Sequence, residues 1–374
     1  MGLVSAMKAS EPSEVFFFPY DAGRAFLRGL KILFSTVAGV VSTGDSVAVK
    51  VHMGEYGNSA YLRPPLVRRV CDLLKEAGAR PFVTDTTTLY PAKRFTARQY
   101  LATAAFNGFT KESLGVPVII ADGEEGYDGE WVDVPKQVCD CSLHKVKIAR
   151  EILGADCLMV LTHVKGHPLS GLGGSIKHLA MGCVTKESKA AQHSANRGLI
   201  DISKCSGCGK CVETCLYGLL SLVDEKVVRD EERCMSCNSC LYVCPEKVFC
   251  LPPGARDTFQ VSLAHAAAGV LNRFHSKVAF VNFIQDVTPL CDCVPVSGLP
   301  VVPDIGILAS TDVVAIDKAS LDLIAQSKPM GKFADISSPD ILGQINSADS
   351  LVQIDAAQKL GLGNREYRLC LSNK

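Results

Sequence analysis

Eight of the seventeen cysteines in this 374-residue chain fall into two runs of identical spacing. Cys205, Cys208, Cys211 and Cys215 lie in CSGCGKCVETC; Cys234, Cys237, Cys240 and Cys244 lie in CMSCNSCLYVCP, which ends in Pro245. Both read Cys-x2-Cys-x2-Cys-x3-Cys. Three thiolates on one tight loop can reach three corners of a single cube-shaped centre. A fourth that begins a helix pointing away reaches a second centre instead.

That is the run found in bacterial two-cluster ferredoxins, where the fourth cysteine serves the other cluster. It predicts two [4Fe–4S] clusters of low potential: one on Cys205, Cys208, Cys211 and Cys244, the other on Cys234, Cys237, Cys240 and Cys215. Leu216 stands where the first run usually carries proline, but that proline helps to start a helix and is not a ligand. The intervening LLSLVDEKVVRDEE reads as two short β-like runs around a polar turn, which suits a ferredoxin half-domain. A pair of zinc sites is the alternative. Zinc sites usually draw on cysteine pairs set further apart, and two complete four-cysteine runs argue against them.

The rest of the chain has a different rhythm. DSVAVKVHMGE (Asp45–Glu55) is β-branched and apolar before turning polar, as a buried strand leading into a loop does. PPLVRRVCDLLKEAG has apolar residues at helical spacing, with prolines at its start and Gly78 at its end. ARPFVTD (Ala79–Asp85) is a second strand, so Asp45–Asp85 predicts a β-α-β unit. Val116–Asp122, Cys157–Val164, Lys277–Ile284 and Asp304–Ser310 read as further strands. KIAREILGAD reads as a helix end, and TDVVAIDKASLDLI opens a helix with Thr311 as its cap. The expected fold is α/β, a mostly parallel sheet flanked by helices, with an inserted α+β two-cluster ferredoxin-like module. The expected segments are 1–199 (first part of the body), 200–251 (insert) and 252–374 (second part).

Lys plus Arg and Asp plus Glu are 39 each. That balance predicts no nucleic-acid partner, which would call for a basic excess. The apolar stretch from Phe26 is interrupted by Arg28 and Lys31 and is too short for a span of ~20 residues. It reads as an amphipathic helix packed on the body, with no membrane span. At 47% apolar the chain is too long and too apolar for a small disulfide-stapled domain, and it shows no convincing secretory signal. The cysteines therefore point to metal in a reducing cytoplasm.

Polar residues concentrate after the predicted strands. THVKGHPLSGLGGSIKHLAMGC supplies His163, Lys165, His167, Lys177, His178 and Cys183. Such residues lie at the carboxyl edge of a parallel sheet, where α/β proteins bind ligands. Three of the eight histidines fall here. The backbone of SGLGGSIK, glycine-rich and ahead of a helix, is a candidate anion cradle, although it lacks the Gly-Lys-Ser/Thr element of a P-loop. A tight turn with surface histidines is the plainer reading. His52, Glu55, Asp85, Asp286, Lys186 and His193 belong to the same predicted cleft. Two Cys-Asp-Cys triplets, at Cys139 and Cys141 and at Cys291 and Cys293, complete the set. In an extended segment both thiols of such a triplet share a face. Four thiolates would suffice for a third metal or cluster, and buried packing is the simpler role for them.

GHPLSGLGGSIKHLAMGC, VTPLCDC and STDVVAIDKASLDLI resemble domain-of-unknown-function family 362, over about Asp45 to Ile324. The resemblance implies iron–sulfur binding and a redox role in prokaryotic cytoplasm, and names no substrate. The expectation is an iron–sulfur oxidoreductase served by an electron-donor or acceptor protein. His163, Lys165, His167 and Lys177 would act on an anionic small-molecule substrate beside a metal or cluster held by Cys291, Cys293, Cys139 and Cys141. An electron-transfer subunit without chemistry of its own, or a metal or cluster delivery protein, are the alternatives.

Overall fold

The computed structural model describes residues 11–20, 26–138, 141 and 143–372. The body is built on an eight-stranded sheet. In chain order its strands are β1 (Ser13–Pro19), β2 (Ser46–Val51), β3 (Arg80–Asp85), β4 (Val118–Ile120), β5 (Cys157–His163), β6 (Val278–Ile284), β7 (Gly306–Ser310) and β8 (Tyr367–Leu371). Across the sheet they run β8-β1-β7-β6-β5-β2-β3-β4. Only β7 opposes the others. It pairs antiparallel with both β1 and β6, and every other pairing is parallel.

Both faces of this sheet are covered, and the sequence shows why. β5 is buried at all seven positions. Its residues alternate: Cys157, Met159 and Leu161 join one hydrophobic cluster, while Leu158 and Val160 join the other. The first cluster also takes Leu30 and Leu33 from the helix Phe26–Val37 and Val67 and Leu74 from the helix Pro64–Glu76. The second takes Ile176, Phe259 and Val314 from the helices Ser175–Gly182, Ala255–Phe274 and Val313–Gln326. A parallel strand covered on both sides needs this continuous apolar run.

The cysteine-rich segment leaves the body after Leu199–Ile200, which pairs antiparallel with Phe249–Cys250 at its return. Between them lie the short helices Lys210–Thr214 and Ser239–Val243 and the hairpin Leu220–Val223 with Lys226–Arg229. The hairpin turns through Asp224 and Glu225, both at positive φ, the handedness that matches strand twist. The segment's own core is small, formed by Cys211, Leu220, Val227, Val248 and Phe249. β6 and β7 follow the segment and complete the sheet begun before it.

Some elements differ from expectation. Lys145–Ala149 is a strand paired with Gly129–Asp133, and only Arg150–Leu153 is helical. The helix at Val313 is capped by Asp312 rather than Thr311; the Asp312 carboxylate accepts from the Val314 and Ala315 amides at 2.8 and 2.9 Å. Carboxylates are also favoured at a helix N-terminus by the dipole. Strands β1 and β8, the second of them an edge strand, carry no periodicity strong enough to announce them. Among the described residues no helix is long and apolar enough to cross a membrane.

Candidate functional site at the carboxyl ends of the parallel strands

The carboxyl ends of β2, β3, β5 and β6 deliver His52, Asp85, His163 and the loop 285–294 to one edge of the sheet. The centre of that edge is Asp292, the middle residue of the second Cys-Asp-Cys triplet. It is fully buried. Its Oδ2 lies 3.2 Å from His163 Nδ1, and its Oδ1 lies 3.3 Å from Lys165 Nζ and 3.5 Å from His52 Nδ1. Burial would push this carboxyl up. The surrounding charges and the His163 hydrogen bond outweigh it and hold Asp292 well below the usual carboxylate range. His52 contributes little to that charge. Burial drives it down to about 3, and its Nδ1 already accepts the Gly54 amide at 3.1 Å, so Lys165 is the partner that matters.

The loop around Asp292 is pinned from two other strand ends. Tyr90 Oη and Arg94 Nη2 donate to the Cys293 carbonyl at 3.0 and 3.2 Å. Arg94 is paired with Glu55 at 3.0 Å, both side chains 3% exposed. The Glu55 amide donates to the Asp292 carbonyl and Asn58 donates to the Val294 carbonyl. A second buried network sits beside it. Lys50 pairs with Asp85 at 2.9 Å, Tyr100 donates to the same carboxylate, and Lys189 donates to Thr86 Oγ1 at 2.8 Å. Burial lowers Lys189 to about 8.

Cys291 is buried and Cys293 half-buried. Lys177 Nζ stands 3.6 Å from Cys291 Sγ. The Cys291 thiol has two acceptors within reach, Asp292 Oδ1 at 3.3 Å and the Cys293 sulfur. Hydrogen bonding from Cys291, with Lys177 and Arg94 nearby, lowers Cys293 to about 6. Burial and the charge of Cys293 push Cys291 well up. Within the pair, Cys293 is the thiol favoured in its charged form and Cys291 the one disfavoured, with Lys177 beside both. Among the described residues no third His, Cys, Asp or Glu joins them in a group able to hold a metal. Asp292 is engaged elsewhere, and a cation would have to compete with Lys177. Of the other triplet, Cys139 lies outside the described residues. Cys141 faces the helix Ala255–Phe274, 3.8 Å from Ser262 Oγ and in contact with His265, a different set of partners.

The remaining candidates divide by role. His163 spends both ring nitrogens on the protein, Nδ1 on Asp292 and Nε2 on the Gln285 carbonyl at 2.9 Å, so it positions Asp292. His167 bonds Ser170 at 3.0 Å and stacks on Phe259. The glycine-rich stretch does not offer its helix N-terminus to a ligand. Asp317 already occupies it, accepting from the Ser175 and Ile176 amides at 2.7 and 2.8 Å. Burial raises Asp317 to about 6 even so. Sequence reasoning did not single out Lys50, Asp292, Arg94, Tyr90 or Asp317. Lys50 could have been found, since a lysine amid VAVKV needs a buried partner. Among the buried side-chain atoms that lack a protein partner are His52 Nε2 and His178 Nε2; an unmet polar group of this kind costs about 1–3 kcal/mol.

In the cysteine-rich segment the side chains surround two hollows. One is lined by Cys205, Cys208, Cys211 and Cys244, the other by Cys215, Cys234, Cys237 and Cys240. Each set therefore takes three cysteines from one run and the fourth from the other. The second hollow is turned toward the body. Tyr217 on its wall donates to the Leu89 carbonyl at 2.8 Å, and Tyr242, two residues past Cys240, is within electrostatic reach of Cys293.

A doubly covered, mostly parallel sheet with buried charges and thiols at its strand ends defines an α/β protein of the kind that binds ligands at that edge. The domain of unknown function DUF362 matches residues 47–322, and the chain belongs to that family. It is 26% identical over 183 residues to the thylakoid-associated protein sll1697 of Synechocystis sp. (strain ATCC 27184 / PCC 6803 / Kazusa), covering 46% of this chain and 50% of the relative. The chain thus spans about half the length of that curated relative. Two solved structures overlap more loosely. A Thermotoga maritima protein matches with a TM-score of 0.37 at 12% identity, over 69% of this chain and 49% of its own. The lactate racemase apoprotein of Thermoanaerobacterium thermosaccharolyticum matches with a TM-score of 0.36 at 11% identity, over 84% and 63%. Likeness at that level carries no functional argument.

Proposed function

We propose that this protein is an iron–sulfur oxidoreductase with two [4Fe–4S] clusters, which passes electrons to the strand-end site around Cys291, Cys293 and Asp292. The observation that carries the reading is the partition of the eight cysteines around two hollows, three from one run and one from the other in each. A cubane presents its irons at separate corners, so its ligands must ring a space rather than converge on one point. That is why a ligand set for a cluster differs from one for a single ion, and why the absence of a ready single-ion group among the described residues does not count against it. When bound, the clusters would supply one-electron transfer at low potential.

The nearness of the second hollow to Tyr217, Tyr242 and Cys293 supports the body as the receiving end. There the protein's own residues prepare the site. The Cys291 hydrogen bond and then Lys177 favour the charged form of Cys293, and His163 and Lys165 hold Asp292 so that the loop keeps its shape. A resident third metal fits poorly beside Lys177 and no step is assigned to one. The buried charges of the body favour this reading over an electron-transfer subunit or a delivery protein, since neither needs them.

Anaerobic iron and sulfide quantitation with electron paramagnetic resonance tests the proposal. Two clusters' worth of iron and sulfide are expected. Cys244→Ala should damage the cluster of the first run. Loss confined to the second-run cluster would refute the crossed assignment, and absence of clusters in the anaerobically purified protein would refute the function.

A further inference from the structure

Three buried imidazole nitrogens lack partners among the described residues, His52 Nε2, His178 Nε2 and His193 Nδ1; for the first two rings the protons can be located from the surrounding hydrogen bonds. Asn282 donates through Nδ2 to Asp317 at 3.1 Å and to Ser320 at 2.9 Å, so its Oδ1 is the acceptor that faces Ser175. Ser175 Oγ gives its hydrogen to that oxygen at 2.7 Å. Thr162 Oγ1, 2.8 Å from Ser175 Oγ, must then donate to Ser175 and accept from His178 Nδ1, 3.1 Å away. His178 thus carries its proton on Nδ1 and leaves a bare lone pair on Nε2. His52 is the reverse. Its Nδ1 accepts the Gly54 amide, so the proton sits on Nε2.

The two rings share a neighbourhood. β2 and β5 pair Val51 with Leu161, which sets His52 beside Thr162, the residue that holds His178. His178 is 8% exposed and faces Lys50 from β2, Lys165 from the short antiparallel pair Lys165–His167 with Gly171–Gly173, His52 and Asp292. Burial and those lysines keep it neutral. Lys165 also faces His52. A metal ion is ill suited to a site with two lysines so close. An anion is well suited, because it would accept from His52 Nε2–H and from the one hydrogen that Lys165, an ammonium with three donors, has left after the His163 carbonyl and Asp292. Its negative charge would also stabilise the proton that burial, and then Lys50 and Lys165, keep off His178.

We propose that His52, His178 and Lys165 form a subsite for a small oxyanion, which binds together with one proton taken up by His178 Nε2. This rests on the oxidoreductase reading for its purpose, giving the class of the substrate, but its test does not need the clusters to turn over. No bond is made or broken; an anion and a solvent proton enter, and charge is conserved.

Isothermal titration of the oxidised, cluster-loaded protein with acetate, and separately with sulfite, in buffers of different ionisation enthalpy reads both affinity and proton uptake. The expected result is binding with close to one proton taken up per anion. Tighter acetate binding would assign a carboxylate and tighter sulfite binding an inorganic oxyanion. His178→Asn keeps a donor for Thr162 and should abolish the proton uptake, while Lys165→Met should weaken binding by about tenfold or more. Circular dichroism and the cluster absorbance confirm that each variant is folded. Failure of both anions to bind, or binding with no proton uptake, or uptake unchanged in His178→Asn, would overturn the proposal. A protein that binds the anion with its proton but reduces nothing would leave the subsite standing and remove the oxidoreductase reading.

Discussion

Lys50 Nζ meets Asp85 Oδ1 at 2.9 Å directly over Gly182, where an added Cβ would overlap Lys50 Cε and Nζ. Gly182 closes the helix Ser175–Gly182, and in an ordinary helix alanine would be preferred by about 1 kcal/mol. Here the clash should win. Lys50 is 1% exposed and cannot swing out to water without abandoning a buried carboxylate. Gly182→Ala is expected to lose about 1–3 kcal/mol in chemical denaturation, as overpacked cores do. Equal or greater stability would mean that Lys50 has another place to go.

Asp292 is the single acceptor shared by His163 and Lys165. Asp292→Asn would leave Lys165 buried without its counter-charge, and breaking a buried pair in this way costs about 3–5 kcal/mol. The loop 285–294 should loosen, turnover should fall, and the cluster signals should remain, since the cysteine-rich segment has its own small core. Denaturation midpoint, activity and paramagnetic resonance of one preparation check all three. Loss of the cluster signals with the midpoint unchanged would contradict this division.

Much of this was legible in the sequence, and the reasons differ by element. β2, the helix Pro64–Glu76, β3 and β5 could be read because burial on both faces forces long apolar runs and helical spacing. The two cysteine runs could be read because ligand spacing is set by chemistry. β1 and β8 could not: β8 is an edge strand with no fully buried position, and β1, though interior, has only a short apolar run between Glu14 and Pro19. The antiparallel course of β7 could not either, because strand direction leaves no mark on composition. At the site, histidines and thiols attracted notice by type. The roles of Asp292 and Asp317 depend on partners far off in the chain: Asp292 on His163, and Asp317 on the amides of Ser175 and Ile176, across 142 and 141 residues. The same distance effect turned the expected anion cradle into an occupied one.

Asp317 gives a pH test. Its folded value is about 6, against about 3.9 for a free aspartate. A raised carboxyl costs stability where it is charged, above the folded value. Between about 6 and about 4 the native state binds more of this proton than the unfolded state does, so this group's contribution improves as pH falls. Asp317→Asn lacks the titration, and all other groups cancel in the difference. The stability of the wild type relative to the variant should therefore rise by on the order of 1 kcal/mol between pH 7 and pH 5, measured by denaturant melts. A pH-independent difference would place the Asp317 carboxyl back in the ordinary range.

Cys293 and Cys291 should separate by reactivity. The nucleophile is the thiolate, and its fraction sets the rate of alkylation. Cys293 is half-buried and lowered to about 6, whereas Cys291 is buried and pushed up. Iodoacetamide should label Cys293 first, with a rate that climbs through about pH 6 and then levels, while Cys291 stays unlabelled at neutral pH. Lys177 favours the charged form, so Lys177→Met should shift the Cys293 midpoint upward and slow labelling at pH 7. Substituting both cysteines by serine should leave the iron and sulfide of the two clusters unchanged and abolish substrate reduction, because electrons would still arrive but the thiolate would be gone. Peptide mass spectrometry follows the labelling and metal analysis the content. Equal labelling of the two cysteines would show that the asymmetry is absent, and full activity in the double variant would move the acceptor of electrons away from this pair.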